Sequence, residues 1–132
     1  MNTLKGKIEY VTVNKNLSLI GVNVNGQLLS TIVIDNPDTA TYLKPGNSIK
    51  IIFKETEVII GIGKTDNISL QNKFTGTVLS VETGELLSKL TINTTVGKII
   101  SIITTNAVNQ LGLKKGSEVT AMVKTNEMML IE

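Results

Sequence analysis

The 132-residue sequence contains no cysteine and no histidine, and these two absences exclude several classes of function. Disulfides, thiolate nucleophiles, imidazole bases and the common zinc and copper sites all require one of these residues. The 11 acidic residues are scattered without a paired motif, so no general acid and base are evident. We therefore expect a protein that is not an enzyme and that coordinates no metal directly through its side chains.

Arginine is also missing, and the 13 basic residues are all lysine. The guanidinium fork that commonly binds phosphate and guanine is therefore absent. The formal net charge of +2 is too small to indicate a nucleic-acid partner. No apolar run is long enough to span a membrane, and the first ten residues lack the core of a signal peptide. We predict a soluble cytoplasmic protein without a membrane or nucleic-acid partner.

The sequence does contain an internal repeat with an offset of 70 residues. Asn2–Val11 aligns with Asn72–Val81, and Leu43–Ile60 aligns with Leu113–Leu130. Identical pairs include Gly6/Gly76, Leu43/Leu113, Lys44/Lys114, Gly46/Gly116, Lys54/Lys124 and Glu57/Glu127. We predict two domains, repeat 1 (residues 1–62) and repeat 2 (residues 67–132), joined by the short segment 61–67.

Each repeat has the pattern of five short strands. KGKIEYVTV and LSLIGVNV predict the first two strands of repeat 1, and Asn25-Gly26 predicts a tight hairpin turn into the third. The segments PGNSIKIIFK and EVIIGI predict the fourth and fifth. Lysines on the predicted strands, such as Lys50 of repeat 1 and Lys98 of repeat 2, are typical of sheet edges, where they discourage aggregation.

The spacing of apolar residues changes between the third and fourth predicted strands. In repeat 2, TNAVNQLGL predicts a short helix with Thr105 or Asn106 as its N-cap and Gly112 as its end. In repeat 1, Asp35, Asn36 and Pro37 predict a cap and a first turn. The fold class predicted is all-β, with two tandem OB-like five-stranded barrels and one short helical turn in each. A barrel of about 65 residues is marginal alone, so the two are expected to exchange strands or to pack together.

Two stretches of repeat 2, SLQNKFTGTVLSV and IISIITTNAVNQLGLKKGSEVTAMVKTNEMMLI, resemble the Mop family of small molybdate-binding domains, also called molbindins or TOBE-type domains. The family pattern begins Ser-Ala-Arg-Asn-Gln, continues Leu-Gly-Leu-Lys-x-Gly-x-Glu-Val-Thr-Ala and ends with Val-Lys followed by a small residue, x, Glu, Val and Met. Residues 69–131 match this pattern closely and residues 2–60 match it loosely, so the chain is similar to the tandem form of the family.

The resemblance implies a homo-oligomer, typically a trimer, that binds molybdate or tungstate at domain and subunit interfaces for storage or homeostasis. Molybdate is a tetrahedral dianion that only accepts hydrogen bonds near neutral pH. Its site should therefore offer hydroxyls, amides, backbone N–H groups and an ammonium rather than a carboxylate.

The resemblance implies which positions of this sequence are equivalent to the family's oxyanion ligands, and most of the donors are retained in repeat 2. A suitable donor is retained at Ser69, Asn72, Thr104, Lys124 and Thr125. Gln71 stands where the family has arginine, so it offers amide donors without a charge. Ala107 stands where the family has a further hydroxyl.

Repeat 1 retains fewer of these donors. Ile34 replaces the hydroxyl at the end of the third strand, and Glu55 follows Lys54 where repeat 2 has Thr125. An acid at that position opposes the binding of an anion. Repeat 1 is therefore expected to be mainly structural and to lend Lys54 or Asn2 to a site completed by another chain.

Alternative interpretations remain open at this stage. OB-like barrels commonly bind single-stranded nucleic acid through aromatic side chains in a cationic groove. Here the aromatic residues are only Tyr10, Tyr42, Phe53 and Phe74. Tandem domains of this family also form the ligand-sensing module of regulators and transporters, but neither a helix-turn-helix nor a nucleotide-binding motif is evident. A standalone protein is expected.

Overall fold

A computed structural model describes all 132 residues and contains ten β-strands and one short α-helix. The strands are β1 (Asn2–Asn14), β2 (Leu17–Val24), β3 (Gln27–Val33), β4 (Ser48–Phe53), β5 (Ile59–Gly61), β6 (Asn72–Thr83), β7 (Leu87–Thr94), β8 (Gly97–Thr104), β9 (Glu118–Val123) and β10 (Met129–Ile131). Helix α1 (Thr105–Leu111) lies between β8 and β9, and 3-10 turns at Glu55–Glu57 and Thr125–Glu127 precede β5 and β10. No helix has the length and apolar character needed to cross a membrane.

The ten strands form two five-stranded sheets, and each sheet takes one strand from the other repeat. Their orders are β10-β4-β1-β2-β3 and β5-β9-β6-β7-β8. Antiparallel pairing of β10 with β4 and of β5 with β9 exchanges the fifth strands between the repeats. The predicted fold class of paired OB-like five-stranded barrels is confirmed. A cut between residues 62 and 67 separates the sequence repeats, but strands from both sides of it contribute to each sheet.

The predicted hairpin of repeat 1 forms between β2 and β3. Asn25 and Gly26 both have positive φ, 52° and 85°, which is the backbone conformation that a two-residue hairpin turn of this kind needs. Lys50 lies on β4, which has neighbours on both sides. Its interpretation as a sheet-edge lysine is therefore wrong, whereas Lys98 does lie on an edge strand, β8.

Helix α1 begins one residue earlier than the sequence predicted. The N-cap is Thr104, whose Oγ1 accepts a hydrogen bond from the Ala107 N–H at 3.1 Å, rather than Thr105 or Asn106. Because Thr104 also ends β8, the strand leads directly into the helix. Gly112 ends the helix in the left-handed conformation, as predicted.

The equivalent segment of repeat 1 forms a single turn rather than a helix. The Asn36 carbonyl accepts from the Ala40 N–H at 2.8 Å, and Asn36 Oδ1 accepts from the Asp38 N–H at 2.8 Å. Asn36 is thus the cap of the turn, in agreement with the sequence.

The main hydrophobic core crosses the boundary between the repeats. It contains 18 buried residues, most of them from repeat 1, together with residues of repeat 2 such as Phe74, Val123 and Met128. A second cluster of six buried residues lies in repeat 2 and includes Val108 of α1. Because the main core contains residues of both repeats, and Ile60 and Leu130 of the exchanged strands pack against it, the exchange is an integral part of the packing.

Candidate functional site

The strand exchange creates two related junctions between the repeats. At the β3 junction, β3 meets the start of β6 and the 3-10 turn Thr125–Glu127, and the end of β9 pairs with this start of β6. At the β8 junction, β8 meets the start of β1 and the 3-10 turn Glu55–Glu57, and the end of β4 pairs with this start of β1. The 70-residue repeat relates one junction to the other, so equivalent residues occupy equivalent places.

Asn72 and Asn2 connect the repeats at these junctions. Asn72 is 1% exposed; its Nδ2 donates to the Ser30 carbonyl and its Oδ1 accepts from the Ser30 N–H, both at 2.8 Å. Nδ2 also contacts Met128 Sδ at 3.4 Å. Asn2 makes the same pair of 2.8 Å hydrogen bonds with the backbone of Ile100. The amide of Asn72, predicted to bind an oxyanion, is therefore already engaged within the chain.

Two buried hydroxyl groups hold the beginnings of the exchanged strands. Thr31 Oγ1 donates to the Met128 carbonyl at 2.7 Å, and Ser101 Oγ donates to the Val58 carbonyl at 2.9 Å. Sequence reasoning missed both residues. The available signal was a hydroxyl residue at the same position in the third strand of each repeat.

Three further predicted ligands border the β3 junction, namely Gln71, Lys124 and Thr125, and Ser69 lies three residues before β6 begins at Asn72. The β6–β9 ladder ends at the pair Asn72–Val123, so Gln71 and Lys124 are the next residues outward on the two chains. Gln71 and Lys124 are exposed, as is Ser69. Thr125 accepts a 3.2 Å hydrogen bond from Thr31 through its backbone carbonyl, which leaves its hydroxyl free. The junction therefore carries several unengaged donors.

The other two predicted ligands, Lys54 and Thr104, lie on the segments that form the β8 junction. Lys54 follows β4 as Lys124 follows β9. Thr104 accepts from the Ala107 N–H as a helix cap, so its own hydroxyl hydrogen remains free to donate. No hydrogen bond or strand pairing joins Thr104 to Lys124 within the chain. The predicted ligands are thus divided between two places.

The charges of the two junctions differ. The 3-10 turn of the β3 junction carries one carboxylate, Glu127, whereas that of the β8 junction carries Glu55 and Glu57. The Met1 ammonium contacts Glu55 at 2.8 Å, and this hydrogen bond lowers the pKa of the Glu55 carboxyl. Lys124 makes no ion pair. The β3 junction is the more favourable of the two for a dianion, because it offers the Thr125 hydroxyl where the β8 junction has the Glu55 carboxylate.

An exposed apolar patch adjoins the β3 junction. It consists of Leu17 and Leu19 on β2 with Ile32 and Ile34 at the end of β3. Leu19 and Ile32 are cross-strand partners, and Ile34 is 81% exposed. A contiguous apolar surface of this kind is typical of a protein contact.

Comparisons with known sequences point to one group of binding proteins. The TOBE domain family model matches residues 68–130. Molybdenum-pterin-binding protein 2 of Clostridium pasteurianum is 35% identical over 66 residues, which is 49% of this chain and 97% of that protein. Molybdenum-pterin-binding protein MopB of Rhodobacter capsulatus is 28% identical over 107 residues, which is 80% of this chain and 40% of that protein.

A solved structure supports the same conclusion for the whole chain. The cytoplasmic molybdate-binding protein ModG, determined with molybdate bound, is similar with a TM-score of 0.89 at 25% sequence identity. The similarity covers 98% of this chain and 94% of the ModG chain. The paired-barrel architecture of this chain therefore occurs in a protein that binds molybdate.

Proposed function

Because the chain belongs to the Mop family of molybdate-binding proteins, we propose that it binds molybdate or tungstate in the cytoplasm for storage or homeostasis. Relatives named for molybdenum binding and the molybdate-bound ModG structure support the ligand, and the description of ModG as cytoplasmic supports the location. The observation that carries the proposal is the set of unengaged donors around Lys124. We assign the protein a binding role and no catalytic one.

The proposed primary site is the β3 junction, with donors from Ser69, Gln71, Lys124 and Thr125. A hydrogen bond to a charged group contributes about 1.5–3 kcal/mol, and micromolar affinity requires about 8 kcal/mol, so four donors are of the right order. Gln71 adds no charge, which makes Lys124 the only ammonium among the four. Asn72 supports this site indirectly, because it holds β3 against the end of the β6–β9 ladder.

We propose further that the site is completed in a homo-oligomer, with a trimer as the expected form. The apolar patch beside the β3 junction supports this, because burial of exposed leucine and isoleucine side chains favours association. The division of the ligands supports it as well. A neighbouring chain that covers the patch is expected to bring Thr104 or Lys54 to the donors around Lys124.

Calorimetric titration tests the proposed ligand. Molybdate and tungstate are expected to bind with comparable, roughly micromolar affinity, since both are tetrahedral dianions of similar size. Hydrogen phosphate is expected to bind more weakly because its proton needs an acceptor, and a hydroxyl or amide that turns its oxygen to this proton no longer donates to the anion. Sulfate, a smaller tetrahedral dianion, tests whether the site distinguishes anions of equal charge by size. Absence of heat with both molybdate and tungstate would refute the proposed function.

Substitution of Ile34 by aspartate tests the proposed assembly. A charge at this 81% exposed position is expected to dissociate the oligomer, because association would require the carboxylate to be buried among apolar side chains. Sedimentation velocity measures the mass, and the same samples are titrated with molybdate. Asn25→Asp places an equal charge at the exposed hairpin turn, which lies at the opposite end of the β2–β3 pair from the patch, and should change neither property. An Ile34→Asp variant that keeps the mass of the wild type contradicts the proposed interface.

A further inference from the structure

Three lysines line an open cleft on the outer face of the first sheet, away from both junctions. The cleft has a volume of about 420 Å³, and Lys5, Lys7 and Lys50 contribute its charge. Ser48 and Glu132 are the other polar side chains that line it. We call it the lysine cleft. None of the ligands predicted from the sequence lies in its lining.

The arrangement of these lysines is electrostatically unfavourable in the empty protein. Lys5 and Lys50 are direct cross-strand partners in the β1–β4 ladder, and Lys7 lies two residues along β1 on the same face. Like charges directly opposite each other destabilise a sheet. No carboxylate forms an ion pair with any of the three. The nearby Glu9 on β1 instead accepts a 2.8 Å hydrogen bond from the Asn23 amide.

Repeat 2 provides an internal comparison because it has the same cleft without any lysine and with one carboxylate, Glu118, in its lining. The equivalent cleft has a volume of about 520 Å³ and is lined by Thr75, Thr77 and Thr120. These residues lie 70 positions after the three lysines. The shape of the cleft therefore follows from the barrel fold, whereas the lysines are a feature of repeat 1 alone and are not needed to form it.

We propose that the lysine cleft binds a small ligand that carries two or more linked phosphate groups. The Glu132 carboxylate offsets part of the lysine charge, but a chain of phosphates is long enough to contact all three ammonium groups, whereas one tetrahedral dianion fills only a small part of the cleft. A volume of about 420 Å³ is within the range of small-molecule sites. The lining contains no aromatic side chain, so it lacks the stacking surface that single-stranded nucleic acid uses.

The test is a calorimetric titration of the full chain with inorganic tripolyphosphate and with ATP. The cleft variant replaces each lysine with the residue that repeat 2 has at the equivalent position, giving Lys5→Thr, Lys7→Thr and Lys50→Thr. The control variant removes the same charge at three exposed lysines elsewhere, giving Lys44→Thr, Lys64→Thr and Lys115→Thr. Threonine is favourable in strands, and the three control lysines are exposed and lie outside the strands, so both variants are expected to fold, which urea unfolding verifies.

The cleft variant is expected to bind tripolyphosphate about tenfold or more weakly than the wild type, and the control variant to bind it within about threefold. Equal weakening in both variants, or no binding by the wild type, overturns the proposal. Tighter binding of a single-stranded oligonucleotide than of tripolyphosphate, lost only in the cleft variant, overturns it in favour of nucleic acid. The cleft variant should retain molybdate binding, so a wrong assignment of the lysine cleft is distinguishable from a wrong assignment of the molybdate site.

Discussion

Replacement of Asn72 by alanine is expected to lower the free energy of unfolding by about 2–4 kcal/mol in the absence of any ligand. The substitution removes both 2.8 Å hydrogen bonds between the Asn72 amide and the backbone of Ser30. Unpaired backbone groups cost about 1–3 kcal/mol each when buried, and Ser30 is half-buried. Because a domain of this size has a total stability of about 5–15 kcal/mol, this is a large fraction of it. Urea denaturation measures the effect.

A matched control for this experiment is the neighbouring Gln71→Ala. Gln71 is exposed, so its removal should change stability by about 0.5 kcal/mol or less. Asn72→Asp is the second comparison, because it keeps the shape of the side chain but removes the donor to the Ser30 carbonyl. A stability of Asn72→Ala equal to that of the wild type, combined with loss of molybdate binding, would favour a direct ligand role for Asn72.

The buried position of Asn72 could have been read from the sequence. Asn72 and Phe74 are two residues apart on β6, so their side chains lie on the same face of the strand, and both are buried. Asn2 and Leu4 repeat this arrangement on β1. The resemblance to a family identified the residue type but not the direction of the side chain, whereas strand alternation gives the direction.

The sequence does not predict which of the two sheets each fifth strand joins. The segments EVIIGI and EMMLI have similar apolar patterns, and each is suitable as the fifth strand of either barrel. Local preference predicts that a strand forms there, but pairing of β5 with β9 and of β10 with β4 depends on contacts distant in the sequence. The turns at Asn25-Gly26 and Gly112 were predicted because their backbone conformations need only local information.

The lysine cleft was missed because each lysine, considered singly, has an ordinary explanation as a solvated strand residue. Only the register of β1 against β4 places Lys5 opposite Lys50. The clustering of these charges therefore becomes visible only once the pairing of the two strands is known.

Replacement of Lys124 by alanine is expected to weaken molybdate binding by about 10- to 100-fold while the fold remains intact. The ammonium is the only positive charge among the four proposed donors at the β3 junction, and a charged hydrogen bond contributes about 1.5–3 kcal/mol. Lys124 is exposed and forms no ion pair, so its truncation should change the free energy of unfolding by about 0.5 kcal/mol or less. Calorimetry and urea denaturation on the same preparation separate the two effects.

Three further variants show whether the loss of molybdate affinity depends on the position of the lysine or only on the loss of a positive charge. Lys124→Arg keeps the charge and should retain most of the affinity, while Lys64→Ala removes an exposed lysine in the connection between the repeats and should leave the affinity unchanged. Lys54→Ala removes the equivalent lysine of the β8 junction, where Glu55 and Glu57 oppose an anion. A smaller loss for Lys54→Ala than for Lys124→Ala is therefore expected. Equal affinity of the Lys124→Ala variant and the wild type would remove the β3 junction as the binding site.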